Sequence, residues 1–163
     1  MKVRDVMMRT PASCTPEMNL GAVVEIMWNR NCGFLPVVDR DCRVQGVVTD
    51  RDVCIALGTR NRLPGDIAVA EVARSQFHSC RPDEDIHAAL QAMQKLGVRR
   101  LPVVDGQGAL LGVLSMDDLV RHAQVGKIAD FSTDEVFGAL KAICSHELPV
   151  LAERESGGAA FAN

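Results

Sequence analysis

The sequence predicts an α/β (α+β) fold made of two β-α-β-β-α units packed face to face, followed by one C-terminal helix. Three observations predict it: a gap-free internal duplication, the same order of elements in each copy, and too little chain in either copy to cover its own sheet. A shift of 66 residues lays Val3 on Val69, Val6 on Val72, Cys14 on Cys80, Pro16 on Pro82, Met27 on Met93 and Asp52 on Asp118. The same shift superposes Leu35-Pro-Val-Val-Asp39 on Leu101-Pro-Val-Val-Asp105, and Gly46-Val47 on Gly112-Val113. Across residues 3–52, 15 of 50 positions are identical, where composition alone gives about 6%. The first repeat is read as 1–66, the second as 67–125, and 126–163 as a C-terminal helix with a mobile tail.

Each copy justifies its elements in the same order. An extended piece ends at Cys14-Thr-Pro16 and at Cys80-Arg-Pro82, because proline biases its predecessor away from the helical region. Asn19 and Asp85 follow as N-caps. Apolar residues then recur at helical spacing: Leu20, Val23, Val24 and Met27, matched by Ile86, Ala89, Leu90 and Met93. A short strand comes next, residues 34–38 or 100–104, then a polar turn (Asp39-Arg-Asp41; Asp105-Gly-Gln-Gly108) and a second strand, 44–48 or 110–114. A second helix starts near Thr49 or Ser115. Residues 58–65, rich in Gly, Pro and Asn, read as the linker. Ser132-Thr-Asp-Glu135 is a capping box opening an amphipathic helix with Val136, Phe137, Leu140 and Ile143 on one side. That helix packs on its own module or exchanges across a dimer.

Composition removes several function classes. Hydrophobic residues at 47% and charged residues at 24% suit an ordinary soluble globular protein. A net charge of −3 argues against a nucleic-acid binder, which needs a basic face. No apolar run approaches the ~18 residues of a membrane span; the longest, 109–116, is strand-sized. The N-terminus carries Asp5 and lacks an apolar signal segment, so the expected location is the cytoplasm. The six cysteines show no Cys-x-x-Cys spacing and the four histidines (His78, His87, His122, His146) no ligand-like interval, so no metal is expected. Nor does the sequence hold a nucleophile–base pattern or a Gly-x-x-x-x-Gly-Lys phosphate loop, so no enzyme is expected. Trp28, set among Met27, Asn29 and Arg30, reads as an exposed residue at a homodimer contact.

The motifs then resemble a known family. Val-x-Asp-Val-Met near the start, Leu-Pro-Val-Val-Asp, and Gly-Val-Val-Thr-Asp-Arg-Asp look like a cystathionine-β-synthase (CBS) domain. The second copy gives Leu-Pro-Val-Val-Asp and Gly-Val-Leu-Ser-Met-Asp-Asp, so the resemblance covers residues 1 to 125. It implies a disc-like module of two repeats, often dimeric, of the stand-alone bacterial type. It also implies a regulatory role towards a partner protein that the sequence does not identify.

Candidate ligand contacts follow. Thr49-x-x-Asp52 and Ser115-x-x-Asp118 each open a helix directly after a buried strand. A carboxylate there can accept both hydroxyl protons of a ribose, and the hydroxyl can donate to sugar or phosphate. Relatives that bind adenosine ligands use this Ser/Thr-x-x-Asp for the ribose; the same four residues are equally apt as local helix caps. The resemblance places phosphate-binding cations at Arg99 and Arg100, where guanidinium forks suit phosphate oxygens. Arg51 is a further candidate from the opposite repeat. The first copy has Gly33-Phe34 at the equivalent place, so one cleft should suit an anionic ligand better than the other. By the same resemblance the adenine slot lies between Cys14-Thr15-Pro16 and Gly33-Phe34-Leu35, or between Cys80-Arg81-Pro82 and Arg99-Arg100-Leu101, with Cys14 and Cys80 as wall or as plain core. The expected ligand is AMP, ADP or ATP, a regulatory ligand and not a cofactor. NAD or S-adenosylmethionine, and an interaction module with empty clefts, are the alternatives.

Overall fold

The computed structural model describes residues 1–123 and 131–145. The first half contains a one-turn helix α1 (Val3–Val6), β1 (Met8–Arg9), α2 (Leu20–Asn29), the hairpin β2 (Phe34–Val38) and β3 (Val44–Thr49), and α3 (Asp50–Arg60). Two short 3-10 turns, Pro64–Asp66 and Val69–Glu71, lead to α4 (Ile86–Leu96), the hairpin β4 (Arg100–Val104) and β5 (Leu110–Ser115), and α5 (Met116–His122). A last helix, α6, spans Thr133–Cys144. The mixed α/β class and the repeated element order agree with the sequence pattern. Asn19 caps α2 by accepting from the Ala22 amide at 2.9 Å, and Asp85 caps α4 by accepting from the His87 amide at 2.9 Å. The tail beyond residue 145 and His146 lie outside the described residues.

The extended piece that opens each copy behaves differently from the expectation. Near Cys14 and Cys80 it forms only a single parallel bridge to its own repeat, Cys14 to Val37 and Cys80 to Val103. The residues before it cross over. β1 pairs antiparallel with β5 of the second half, Met8 opposite Val113. Arg74, equivalent to Met8, pairs antiparallel with Val47 of the first half. Each half therefore completes its sheet with the other's leading segment.

Glycine makes this exchange sterically feasible. A Cβ on Gly46 would lie 2.8 Å from the Arg74 carbonyl oxygen, and one on Gly112 would lie 2.7 Å from the Met8 carbonyl oxygen. Both distances are below what real side chains reach, so the Gly-Val strand motif is a docking notch for the crossing segment. The hairpin turns also meet: the Val44 amide donates to the Gly108 carbonyl at 3.0 Å and the Leu110 amide to the Cys42 carbonyl at 2.9 Å. Cys42 and Gly108, equivalent positions, both take positive φ, 59° and 84°.

Two cores result, each completed by residues of the other half's leading segment. The first holds Leu20, Val23, Leu35, Val48 and Val53, together with Ile67 and Val69 from the crossing segment. The second holds Ile86, Leu90, Met93, Leu101 and Leu119, together with Val3 and Val6 from the first segment. The repeat boundary at 66/67 is therefore not a boundary in space. Helix α6 packs on α4 and α5 through Val136, Ala139 and Ile143. Phe137, placed in the buried stripe from sequence, faces solvent instead. Ala139 sits three residues from Val136 and four from Ile143, closer to the angular centre of the buried face.

Candidate functional site

β3 and β5 each run out of a core straight into a helix, and the first four residues of that turn carry the most unusual polar burial in the protein. Asp52 and Asp118, each 8% exposed, are the charged side chains buried among the described residues. Each is held by a reciprocal cap. The Asp52 amide donates to Thr49 Oγ1 at 3.2 Å, while the Thr49 amide and hydroxyl donate to Asp52 Oδ2 at 3.0 and 2.7 Å. In the second half the Asp118 amide donates to Ser115 Oγ at 3.2 Å, and the Ser115 amide and hydroxyl donate to Asp118 Oδ2 at 3.0 and 2.5 Å. The capping reading of these four residues is thus physically real, and it uses one carboxylate oxygen in each half.

The remaining oxygens differ. Asp52 Oδ1 accepts from Arg74 Nε at 2.9 Å and Arg74 Nη2 at 2.6 Å. Asp118 Oδ1 accepts from Arg121 Nη2 at 3.0 Å. These two arginines were not among the residues singled out from sequence. Arg121 was within reach of a helical argument, being three residues from Asp118 on the same helix. Arg74 was not, because its approach to Asp52 depends on the crossing segment.

The expected phosphate contacts separate. Arg100 stands directly across the ladder from Ser115, whereas the equivalent residue Phe34 stands across from Thr49. Arg99 reaches the other way: its Nη2 lies 3.5 Å from Cys144 Sγ at the end of α6. Arg100 thus lies beside the Ser115 cap, and Arg99 lies against the end of α6. Arg51 is exposed on the first turn of α3, and Pro16 and Phe34 are half-buried.

Leu35, expected at an adenine slot, and Cys14 and Cys80, read as slot wall or as plain core, are all members of the two cores. Leu35, Cys14 and Cys80 are buried, the cysteines because their segment is pinned inward by the bridges to Val37 and Val103. Burial pushes both thiols up to about 12, so they stay protonated and inert. All six cysteines are free. No group of three or more His, Cys, Asp or Glu gathers for a metal among the described residues. His87 joins α4 to α6 through Glu135 Oε1 at 3.0 Å, and His122 Nδ1 lies 2.8 Å from the Asp118 carbonyl.

Two hollows flank this machinery. One, about 190 Å³, lies against Asp52 beside Thr59, Arg60 and Glu71. The other is an apolar groove of about 390 Å³ between α2 and α3, lined by Val24, Met27, Trp28, Val53, Cys54 and Leu57. Trp28 is 85% exposed at its rim.

Comparison with known proteins now fits the geometry. The family model for the CBS domain matches residues 3–59 and again 69–124. The chain is a tandem CBS-domain protein. It is 32% identical over 117 residues to the CBS domain-containing protein YhcV of Bacillus subtilis, covering 72% of this chain and 81% of YhcV. It is 30% identical over 143 residues to Hypoxic response protein 1 of Mycobacterium tuberculosis, covering 87% of this chain and 93% of that one. A solved structure of that protein with two coordinated zinc ions superposes with a TM-score of 0.69 at 27% identity, covering 76% of this chain and all (100%) of the other. The structure of CBSX2 of Arabidopsis thaliana in complex with AMP has a TM-score of 0.66 at 24% identity, covering 74% and 93% of the two chains. No helix among the described residues of the CBS pair is long and apolar enough to cross a membrane.

Proposed function

We propose that this CBS pair is a non-catalytic regulatory module that binds an adenine nucleotide, AMP, ADP or ATP, through the Ser115–Asp118 turn. One observation carries the reading: a carboxylate that is 8% exposed stands at a strand end with Arg100 across the ladder. Asp118 Oδ2 is committed to the cap, but Oδ1 has a single partner, on an arginine whose side chain is 70% exposed. Rotation of Arg121 into solvent frees that oxygen for the two hydroxyls of a ribose, and Arg100 meets the phosphate. Binding then shifts the module between two packings, and through them a partner protein, by as much as the ligand's affinity differs between the two. The complex of CBSX2 with AMP supports the choice of ligand. NAD offers the same ribose and phosphate; S-adenosylmethionine offers no phosphate for Arg100. The module works in the cytoplasm.

The test is a thermal-shift screen with AMP, ADP, ATP, NAD and S-adenosylmethionine. A ligand at a hundredfold excess over its dissociation constant adds about 2.7 kcal/mol. Asp118→Ala and, separately, Arg100→Ala remove that shift, the first also costing about 1 kcal/mol for the lost cap. Unmoved melting with all five compounds defeats the reading and leaves an interaction module.

A second reading concerns assembly, and the apolar α2–α3 groove favours it. The matching face of the second half is covered by a helix of the same chain. The proposed occupant in the first half is the same face of a second copy, with Trp28 central. Sedimentation of Trp28→Glu as a monomer, against a wild-type dimer, supports this; a monomeric wild type overturns it.

A further inference from the structure

Resting on the nucleotide reading above, we propose that Arg74 fills the sugar-acceptor oxygen of the first half from within, so that the chain takes one nucleotide, in its second half. The duplication supplies the control. Position 74 is equivalent to position 8, and both pair antiparallel with the middle of a repeat strand, Arg74 with Val47 and Met8 with Val113. The Arg74 amide donates to Val47 at 2.9 Å and the Val47 amide donates back at 3.1 Å, so the residue is fixed beside Asp52. Met8 has no donor to offer Asp118. Arg74 offers two, at 2.9 and 2.6 Å, both to Asp52 Oδ1.

Those two donors use the lone-pair directions a ribose diol needs, and Oδ2 is already in the cap. Room is present, since the hollow of about 190 Å³ lies against Asp52. The missing item of recognition is an open acceptor. A neutral diol that displaced Arg74 would keep two hydrogen bonds to the carboxylate but leave its buried negative charge without the guanidinium that balances it, which is unfavourable. Arg121 gives Asp118 Oδ1 one donor where Arg74 gives Asp52 Oδ1 two, its Nε going instead to the Asp117 carbonyl at 3.2 Å, so less is lost when it turns away. Phe34 in place of an arginine across from Thr49 gives the first half no phosphate contact, so the second AMP taken up by Arg74→Met should bind more weakly than the first.

Arg74→Met rebuilds in the first half what Met8 provides in the second, a side chain the fold already carries at the equivalent position. Calorimetric titration of the full chain with AMP reads the outcome. The wild type should bind one AMP per chain, Arg74→Met two, Asp118→Ala none, and the double variant one. Arg74→Gln, which cannot make the charged clamp, should follow Arg74→Met, with circular dichroism melts confirming folded protein. One AMP in both Arg74 variants and none in the double variant overturns the inference while the single-site reading stands. Loss of binding in Arg74→Met overturns it too, because Arg74 would then be a ligand contact. Absence of binding in all proteins defeats the nucleotide reading and this inference together.

Discussion

The α2–α3 face of the first half and the α4–α5 face of the second come from the same residue pattern, yet they have different surroundings. Leu90 is 4% exposed beneath α6, and its equivalent Val24 is 44% exposed. Sequence periodicity marks both faces as apolar and says nothing about what covers either one. The buried carboxylates repeat the lesson: the caps of Asp52 and Asp118 are superposable, and the arginines that reach their outer oxygens come from different places. Duplication supplies the shared scaffold, while the residues outside the shared motifs decide how each half is used.

The sharpest way to break the comparison is to remove the anchor of α6. Phe131, buried and in edge contact with His87 at 5.7 Å between ring centroids, leads into that helix. Phe131→Ala should cost about 3–5 kcal/mol of unfolding free energy, read by chemical denaturation, and should expose Leu90 to a state like that of Val24. Next in size, Leu90→Ala should cost about 2–5 kcal/mol, whereas Val24→Ala, measured on chain too dilute to pair with a second copy, should stay within about 0.5 kcal/mol. Equal losses would mean that the first face is covered in solution even when the chain is dilute.

A smaller effect tests the crossing segments. Gly112→Ala and Gly46→Ala should each cost about 1–3 kcal/mol, with raised amide exchange at Met8 in the first variant and at Arg74 in the second. The smallest effect concerns acid. The His87 amide above all holds the Asp85 carboxyl below its ordinary range. A group depressed in the fold stabilises above its unfolded pKa and loses that contribution as pH falls through the folded value. Asp85→Asn copies the Asn19 cap of the first half, so it should leave neutral-pH stability nearly unchanged and weaken the decline of stability below about pH 4.

Much of the fold was legible because it is local. The β2 and β4 spans, both N-caps and all three Ser/Thr capping boxes follow from spacing and from single side chains that satisfy helix-end amides. The crossing of the leading segments was not, since Met8 opposite Val113 and Arg74 opposite Val47 are pairings between distant residues with no periodic signature. That omission carried through to the site. Arg74 went unnoticed, Arg99 was grouped with Arg100 although it turns to Cys144, and for Cys14 and Cys80 the sequence left wall and core open where the fold buries both. The Thr49–Asp52 and Ser115–Asp118 caps were legible because a reciprocal helix cap needs a hydroxyl and a carboxylate at that spacing.

Amide chemical-shift mapping of the isotopically labelled chain with AMP tests the central claim most directly. The account expects saturable shifts at Ser115, Asp118 and Arg100, with Thr49, Asp52 and the Trp28 indole unmoved. Shifts confined to the α2–α3 groove, or no shifts at all, would contradict it.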